Sequence, residues 1–261
     1  MNRATNVVTH TSGNIETLIL RGSHRNAGCG SPLAASAGCT VTNYWYKDLA
    51  FNSGAVTAKS GSGSVTNDNA YAEAGVTTYV SDTFTAANGT ALNGRTPSPT
   101  DPGATWATQS GTAGNQTIQS NKASFACNNS REDLVIDAGV SDGTIEATMT
   151  IPATGSIGIL MFRVQDVNNY WQLTIDDTQT VLYRIVAGAV DYSSIVTQAH
   201  ASGTPYTLRV TLSGNSVSGE VVGETPIATT SSVGAARTKH GIGGYYAGTG
   251  NVTADDFTVT S

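Results

Sequence analysis

Apolar and polar residues alternate along the last two thirds of the chain, in successive segments bounded by Gly, Asn, Asp or Pro. In one segment the apolar positions are Ile145, Ala147, Met149 and Ile151. Because the side chains of a β-strand point alternately to the two faces of a sheet, this pattern predicts strands with one face in a core.

Three later segments repeat the alternation. Their predicted core faces carry Leu160, Phe162, Val164, Trp171, Leu173, Ile175, Leu208, Val210 and Leu212. Polar turns at residues 176–180 and 213–216 are short enough to join antiparallel neighbours. No segment has a convincing helical period, so we predict an all-β fold, an antiparallel sandwich of two packed sheets.

The first 80 residues have a different composition. A single strand-like run at residues 16–20 precedes a loop rich in Gly, Ala and Ser, and residues 60–64 read Ser-Gly-Ser-Gly-Ser. We predict an irregular, extended N-terminal region with a few short strands at 1–80 and the sandwich at 81–261. An ordinary linker and an arm that becomes ordered against a neighbouring chain are the two alternatives for about 47–80.

Charge and hydropathy narrow the classes of partner. The net charge is −6 and the 13 basic residues are scattered, so nucleic acid would lack its electrostatic driving force. No run approaches the roughly 20 apolar residues of a membrane span, and residues 1–6 lack the apolar stretch of a secretory signal. We therefore predict neither a nucleic-acid nor a membrane partner.

The three cysteines cannot all pair within one chain. Cys29 and Cys39 are close in sequence and could form a bridge, while Cys127 is distant from both. Free thiols are the expectation for a chain made in a reducing cytoplasm.

Several short motifs coincide with the predicted strands. They are D-T-F at 82–84, Trp106, V-I-D-A-G at 135–139, G-I-L-M-F-R at 158–163, D-V-N-N-Y-W at 166–171, Y-T-L-R-V at 206–210 and D-D-F at 255–257. This series resembles the concanavalin A-like jelly-roll superfamily (laminin-G and glucanase-like domains), in particular its copies in bacteriophage tail and virion proteins. The resemblance covers about Asp82 to Ser261 and implies that a first strand near Phe84 pairs with a last strand near Phe257.

The sequence contains few candidates for catalytic residues. Glycosidases need two carboxyl groups about 5–10 Å apart across a sugar bond, and no Glu-x-Asp-x-Glu run occurs. Glu146 and Glu220 remain as candidates, but each is expected to be a solvated or ion-paired surface residue. The histidines are isolated and no G-x-S-x-G motif occurs, so we predict that the chain is not an enzyme.

The predicted open face suggests a glycan-binding surface. Four strands bring polar side chains to it, with a tyrosine at its edge: Arg163, Gln172, Arg184, Arg209 and Tyr170. Such a face can bind sugar hydroxyls, although cross-strand ion pairs with Glu146 or Glu220 would produce the same pattern. We expect the aromatic side chains to pack in the core or at an edge rather than to stack on sugars. These residues are Trp106, Trp171, Tyr245 and Tyr246.

No cofactor is predicted. Asp176-Asp177 and Asp255-Asp256 offer oxygen ligands of the kind that Ca²⁺ prefers, but neither pair has the spacing of an ion-binding loop. We expect these carboxylates to bond the backbone of their own turns.

These observations, with the resemblance, predict a bacteriophage virion structural protein, either a minor tail or fibre protein or a head-decoration protein. Residues 1–80 would attach it to other virion proteins, as a homo-oligomer for which a trimer is one symmetric state. The jelly roll would be displayed to host-surface glycans, and the protein would be made in the host cytoplasm and located in the virion. A carbohydrate-active enzyme and a free lectin of the same fold are the alternatives.

Overall fold

The structure, a computed structural model, describes residues 18–20, 44–46, 76–97, 104–248 and 250–261. The chain divides into two compact units, Met1–Gly75 and Val76–Ser261. In the first unit, strands β1 (Leu18–Leu20) and β2 (Tyr44–Tyr46) pair in parallel. Most of the predicted attachment region, with Cys29 and Cys39, lies outside the described residues.

The second unit is built from strands β3 to β17 and one 3-10 turn at Ala113–Asn115. The strands are β3 (Thr78–Asp82), β4 (Ala107–Ser110), β5 (Gln116–Gln119), β6 (Lys122–Ala126), β7 (Ser130–Asp137), β8 (Gly143–Thr150), β9 (Ser156–Asp166), β10 (Asn169–Ile175), β11 (Gln179–Val186), β12 (Ala189–Thr197), β13 (Pro205–Ser213), β14 (Ser216–Val221), β15 (Ile227–Thr230), β16 (Lys239–Tyr246) and β17 (Asn251–Thr260). The described part of the chain contains no helix that could cross a membrane.

Two antiparallel sheets make up this unit. One sheet has seven strands in the order β12-β11-β10-β9-β16-β7-β4, and the other has the order β15-β14-β13-β8-β17-β6-β5, with β3 pairing β17. Strands β16 and β17 therefore insert between strands that precede them by many residues, as in a jelly roll. The predicted all-β, two-sheet fold is confirmed.

The first and last strands of the sandwich pair, as the resemblance implied. Phe257 of β17 lies opposite Asp82 of β3. Beyond the two strands, the backbones of Thr77 and Ser261 exchange two hydrogen bonds, with N–O distances of 2.8 and 3.0 Å. The sandwich is thus closed by its own two ends.

The main core lies between the sheets. The four apolar residues predicted on one face of β8 are at most 1% exposed, and so are Trp106 and Trp171. Trp106 packs against Phe84 and Phe257, with ring centroids 5.8 and 4.9 Å away. Both tryptophans are core residues, as predicted, and not sugar-stacking platforms.

Strand β9 departs from the predicted alternation at Arg163. Its φ angle is +50°, and the pairing with β16 skips from Met161–Gly241 to Val164–Lys239. Such a bulge adds one residue and reverses which face the following residues occupy. The prediction that Val164 shares a face with Leu160 and Phe162, and that Arg163 lies opposite them, is therefore wrong.

The seven-stranded sheet has one face turned away from the other sheet, and we call it the outer face. A second, smaller apolar cluster lies on this face. It consists of Val135, Ile159, Met161 and Val164, all at most 4% exposed, with Ile157 and Tyr170 packed against it. The predicted open polar face therefore has an apolar floor.

Candidate functional site

A group of four polar residues lies on the outer face above this apolar floor. Arg131 and Asp133 come from β7, and Tyr170 and Gln172 come from β10. Their neighbours Leu134 and Trp171 point into the main core, so strand alternation directs these four side chains outward. We call them the Arg131 cluster.

Arg131 joins the cluster together. Its Nε donates to Asp133 Oδ2 at 2.5 Å, Nη1 donates to the Tyr170 hydroxyl at 2.9 Å, and Nη2 donates to Gln172 Oε1 at 2.7 Å. The guanidinium carbon also lies 5.0 Å from the centre of the Tyr170 ring, within the range of a cation–π contact. The arginine is therefore held by two different strands of the sheet.

Glycines in β16 make this arrangement possible. Strand β16 lies beside β7 and places Gly241 opposite Val135 and Gly243 opposite Asp133. A Cβ atom at Gly243 would lie 2.3 Å from Asp133 Oδ1 and 2.6 Å from the Glu132 carbonyl oxygen. The absence of side chains at these positions leaves room for Asp133 and for an arginine that extends toward β10.

Asp133 is electrostatically unusual. It is 2% exposed, and its Oδ1 has no hydrogen-bond partner among the described residues. Burial raises the pKa of Asp133 to about 6, although the adjacent Arg131 charge lowers it. A buried carboxylate oxygen without a donor costs free energy, so Asp133 contributes a buried, incompletely compensated negative charge beneath Arg131.

The other two members supply neutral polar groups. Burial raises the pKa of Tyr170, so its hydroxyl stays protonated at neutral pH. The Gln172 amide oxygen is used by Arg131, while its nitrogen has no partner within residues 104–248. Beside the Arg131 guanidinium the cluster thus offers a hydroxyl and an amide N–H.

Of the five predicted glycan-binding residues, the structure brings together Tyr170 and Gln172. Arg163 lies elsewhere, because the bulge turns it away from the outer face. It is 1% exposed and donates to the Gly214 carbonyl at 2.5 Å and to Asp142 at 3.3 Å. Its predicted place on a shared polar face is wrong.

Arg184 is also directed away from the cluster. It pairs with Trp171 in the β10–β11 register and therefore shares the core-side face of the sheet. Its guanidinium lies 5.3 Å from the Trp171 ring and forms an ion pair with Asp191. The predicted placement of Arg184 on the open face is wrong, and its contacts are those of packing at the sandwich margin.

Arg209 belongs to the other sheet. It lies opposite Glu146 of β8 and Glu220 of β14, with N–O distances of 2.5 and 3.2 Å. The cross-strand ion pairs considered as the alternative are confirmed, and the expectation that both glutamates are ion-paired surface residues is confirmed with them. The predicted common face for Arg209 and Gln172 is wrong, because the residues belong to different sheets.

Arg131 and Asp133 were missed by the sequence analysis. The acidic residue between them, Glu132, points toward the core side, which hides the strand alternation. It is fully buried, and the hydrogen bonds that it accepts from the Thr112 backbone at 2.8 Å and the Asn115 amide at 2.9 Å offset the loss of hydration. The usable signal was the apolar pair Leu134 and Ile136, which assigns 131 and 133 to the opposite face.

The aspartates considered for Ca²⁺ have other partners. Asp176 Oδ1 accepts from the backbone N–H of Thr178 at 2.8 Å and of Gln179 at 3.0 Å, as expected for an aspartate in a turn. Asp255 Oδ1 accepts from the Asp256 backbone at 3.0 Å. Among the described residues no three His, Cys, Asp or Glu side chains form a group that could hold a metal ion. Cys127, the remaining cysteine, is a buried free thiol whose pKa is raised to about 11 by burial.

Solved structures that are similar to this chain include a carbohydrate-binding module and glucanases. The carbohydrate-binding module CBM66 from Bacillus subtilis is 20% identical, with a TM-score of 0.46, over 60% of this chain and 91% of its own. A Bacillus licheniformis β-glucanase is 13% identical, with a TM-score of 0.51, over 69% and 96%. SCLam, a non-specific endo-β-1,3(4)-glucanase from family GH16, is 8% identical, with a TM-score of 0.51, over 71% and 91%.

No protein-family model and no curated protein matches the chain. At 13% and 8% identity, the likeness to the two glucanases shows a shared fold and does not assign an activity. None of the three structures is a virion protein, so the bacteriophage prediction gains no support from them. Residues 76–261 thus have the concanavalin A-like jelly-roll fold that these glucanases share.

Proposed function

We propose that the sandwich is a carbohydrate-binding module that holds its ligand on the Arg131 cluster. The observation that carries the proposal is the hydrogen-bonded set of guanidinium, tyrosine hydroxyl and amide on the outer face, in which Arg131 orients Tyr170 and Gln172. Carbohydrate-binding and glucan-cleaving proteins share the fold, which raises the expectation of a sugar ligand but does not identify one.

The chemistry of the cluster suits a sugar. Each sugar hydroxyl can donate one hydrogen bond and accept others, so it can accept from one group of the cluster and donate to another. The Gln172 amide nitrogen and the Tyr170 hydroxyl are neutral donors beside Arg131. Because Asp133 offsets the Arg131 charge, the site favours a neutral sugar over a strongly charged one.

At the Arg131 cluster, the spacing of the carboxylates favours binding over cleavage. The next acidic residue on the same face of β7 is Asp137, and a strand rise of about 3.3 Å per residue puts it roughly 13 Å along the strand from Asp133. Hydrolysis needs two carboxyl groups about 5–10 Å apart. Asp137 is also engaged with Thr238 Oγ1 at 2.6 Å, a hydrogen bond that lowers its pKa. This spacing does not suit hydrolysis at the cluster, and the carboxylates that a test for cleavage must address are Glu146 and Glu220, which share Arg209 on the other sheet.

The test measures binding of the full chain to laminarin and to mixed-linkage β-1,3-1,4-glucan by titration calorimetry and affinity electrophoresis. We expect binding that weakens at least tenfold, about 1.4 kcal/mol, in Gln172→Met and in Tyr170→Phe. Each variant keeps the volume of the side chain and removes one polar group of the cluster. No reducing ends should be released from either glucan.

Arg209→Gln provides the matched control, because it breaks exposed ion pairs on the other sheet. It should leave binding unchanged. Failure of the wild-type chain to bind any member of a wider neutral-glycan panel would overturn the proposal. Release of reducing ends that is lost in Glu146→Gln or Glu220→Gln would instead support the enzyme alternative.

Display on a virion is a separate prediction. It rests on residues 1–80 and on the resemblance to phage domains, and host-surface glycans would then be the ligands of the same cluster. Mixing the full chain, and a chain that starts at Ser81, with particles that lack this protein would test attachment independently of sugar binding.

A further inference from the structure

The two sheets end in edge strands of very different length. Strands β4, β5 and β15 have four residues each, whereas β12, the outermost strand of the seven-stranded sheet, has nine. Short edge strands are one way in which proteins prevent pairing with another chain. Strand β12 lacks this protection.

The composition of β12 gives no other protection. Residues 189–197 contain no Lys, Arg, Pro or Gly, which are the residues that usually interrupt pairing at an edge. The one charged residue, Asp191, forms an ion pair with Arg184 of the neighbouring strand. Val190 and Ile195 are 58% and 56% exposed, so the edge also presents apolar side chains to solvent.

The hydrogen-bonding direction of β12 can be read from its end. The Gln198 N–H donates to the Thr178 carbonyl on the β11 side at 3.0 Å. Backbone groups alternate in direction along an antiparallel strand, so those of Ser194 and Val196 also face β11. The backbone groups of Ser193, Ile195 and Thr197 therefore face outward, and within the described residues they are not engaged by another strand.

We propose that β12 pairs with β12 of a second copy of this chain, antiparallel about a two-fold axis at Ile195. Ile195 then meets the partner subunit's Ile195, and Ser193 lies opposite Thr197 of the partner subunit. The register shift near Asp191 limits the paired segment at one end. No unpaired charge lies within the segment, so the two copies meet without like-charge repulsion there.

This pairing has a geometric consequence that does not depend on sugar binding. Two seven-stranded sheets become one continuous sheet, with both outer faces on the same side. Both Arg131 clusters then face the same way. The inference differs from the predicted oligomer through residues 1–80, because it assigns the interface to the sandwich.

The test is sedimentation equilibrium of the full chain over roughly 1–200 µM, the range suited to a small interface. We expect reversible dimers, and at least a tenfold rise in the dimer dissociation constant for Ile195→Lys. Ala228→Lys is the matched control, because Ala228 is an exposed residue on β15, the edge strand of the other sheet. It should dimerise like the wild type.

A cross-linking experiment covers the case in which Ile195→Lys does not fold. Residues opposite each other in a hydrogen-bonded antiparallel pair have Cα atoms about 5.5 Å apart, within reach of a short bifunctional thiol reagent. Ile195→Cys should give a covalent dimer with a bis-maleimide, beyond the level seen with the native thiols, and Ala228→Cys should not. A wild-type chain that stays monomeric at all concentrations overturns the proposal. So does an Ile195→Lys variant that dimerises like the wild type together with an Ile195→Cys variant that does not cross-link.

Discussion

Three buried acidic residues of the sandwich are satisfied to different degrees. Glu132 and Asp82 are both fully buried and accept several hydrogen bonds, Asp82 from the Phe84 backbone, Arg95 and Trp106 Nε1. Asp133 is nearly as buried but leaves one oxygen unpaired. Proteins tolerate such local costs where a function requires them, which agrees with the place of Asp133 in the proposed binding site, whereas the bonds of Asp82 are those of a structural residue.

The raised pKa of Asp133 predicts a pH dependence of stability. Because its pKa is about 6 in the folded chain against 3.8 for the ordinary group, the folded state binds the proton more tightly than the unfolded state. The stabilising contribution is complete below about pH 4 and is lost as the pH rises through 6, by roughly 2–3 kcal/mol. Urea denaturation of wild type and Asp133→Asn between pH 4 and 8 measures it as the difference between the two chains.

In the difference between the two chains, the contributions of the other titrating groups to the pH dependence cancel. His240, for example, has a pKa lowered to about 4 by burial, so it acts in the opposite direction, and its contribution is lost as the pH falls. The wild type should lose stability relative to Asp133→Asn as the pH rises. Parallel stability curves for the two chains would show that Asp133 is not perturbed in this way.

At the scale of single strands, the sequence was enough to predict which residues of β8, β10 and β13 face the core, and these residues are buried. It was insufficient for β9, because Val164 is apolar and continues the alternating pattern across the bulge. One extra residue in a ladder changes the pairing and not the composition. The pattern therefore predicted the strand but placed Arg163 on the wrong face.

The Arg131 cluster could not be predicted from the sequence, for a related reason. Its members lie on β7 and β10, which are separated in the sheet by β16 and β9, and β16 comes more than 60 residues after β10. Alternation assigns a face within each strand but does not say which strands are neighbours. Tyr170 and Gln172 could be predicted as surface residues, and their contact with Arg131 could not.

The glycines of β16 lead to a prediction at this scale. Gly243→Ala places a methyl group 2.3 Å from Asp133 Oδ1 and 2.6 Å from a backbone oxygen, so the strand or the cluster must shift. We expect a loss of about 1–3 kcal/mol in the free energy of unfolding, with weaker glycan binding if the cluster binds sugar. Thermal and urea denaturation measure the first, and calorimetry the second.

Gly114→Ala is the matched control, because a Cβ atom there has no heavy atom within 4 Å and the backbone has no positive φ. It should change the free energy of unfolding by less than about 0.5 kcal/mol. Equal effects of the two substitutions would show that β16 has room above its glycines.

For the whole molecule, the all-β fold follows from the alternation alone, while the pairing of the first and last strands was implied by the resemblance. Strand β17 lies at the centre of this arrangement, since it pairs β8 along one edge and β6 and β3 along the other. Among the described strands, β3 pairs with β17 alone. The strand that closes the sandwich is thus held on one side.

The mutual hydrogen bonds of Thr77 and Ser261 determine how the sandwich responds to mechanical force. These residues lie at the same end of two antiparallel strands, so a pull that separates them loads the hydrogen bonds of β3 one after another, as in opening a zipper, rather than all together in shear. In an optical-trap experiment with handles at these two positions, β3 should peel away at low force while β17 stays bound to β8. Simultaneous rupture of the whole sandwich at high force would contradict this.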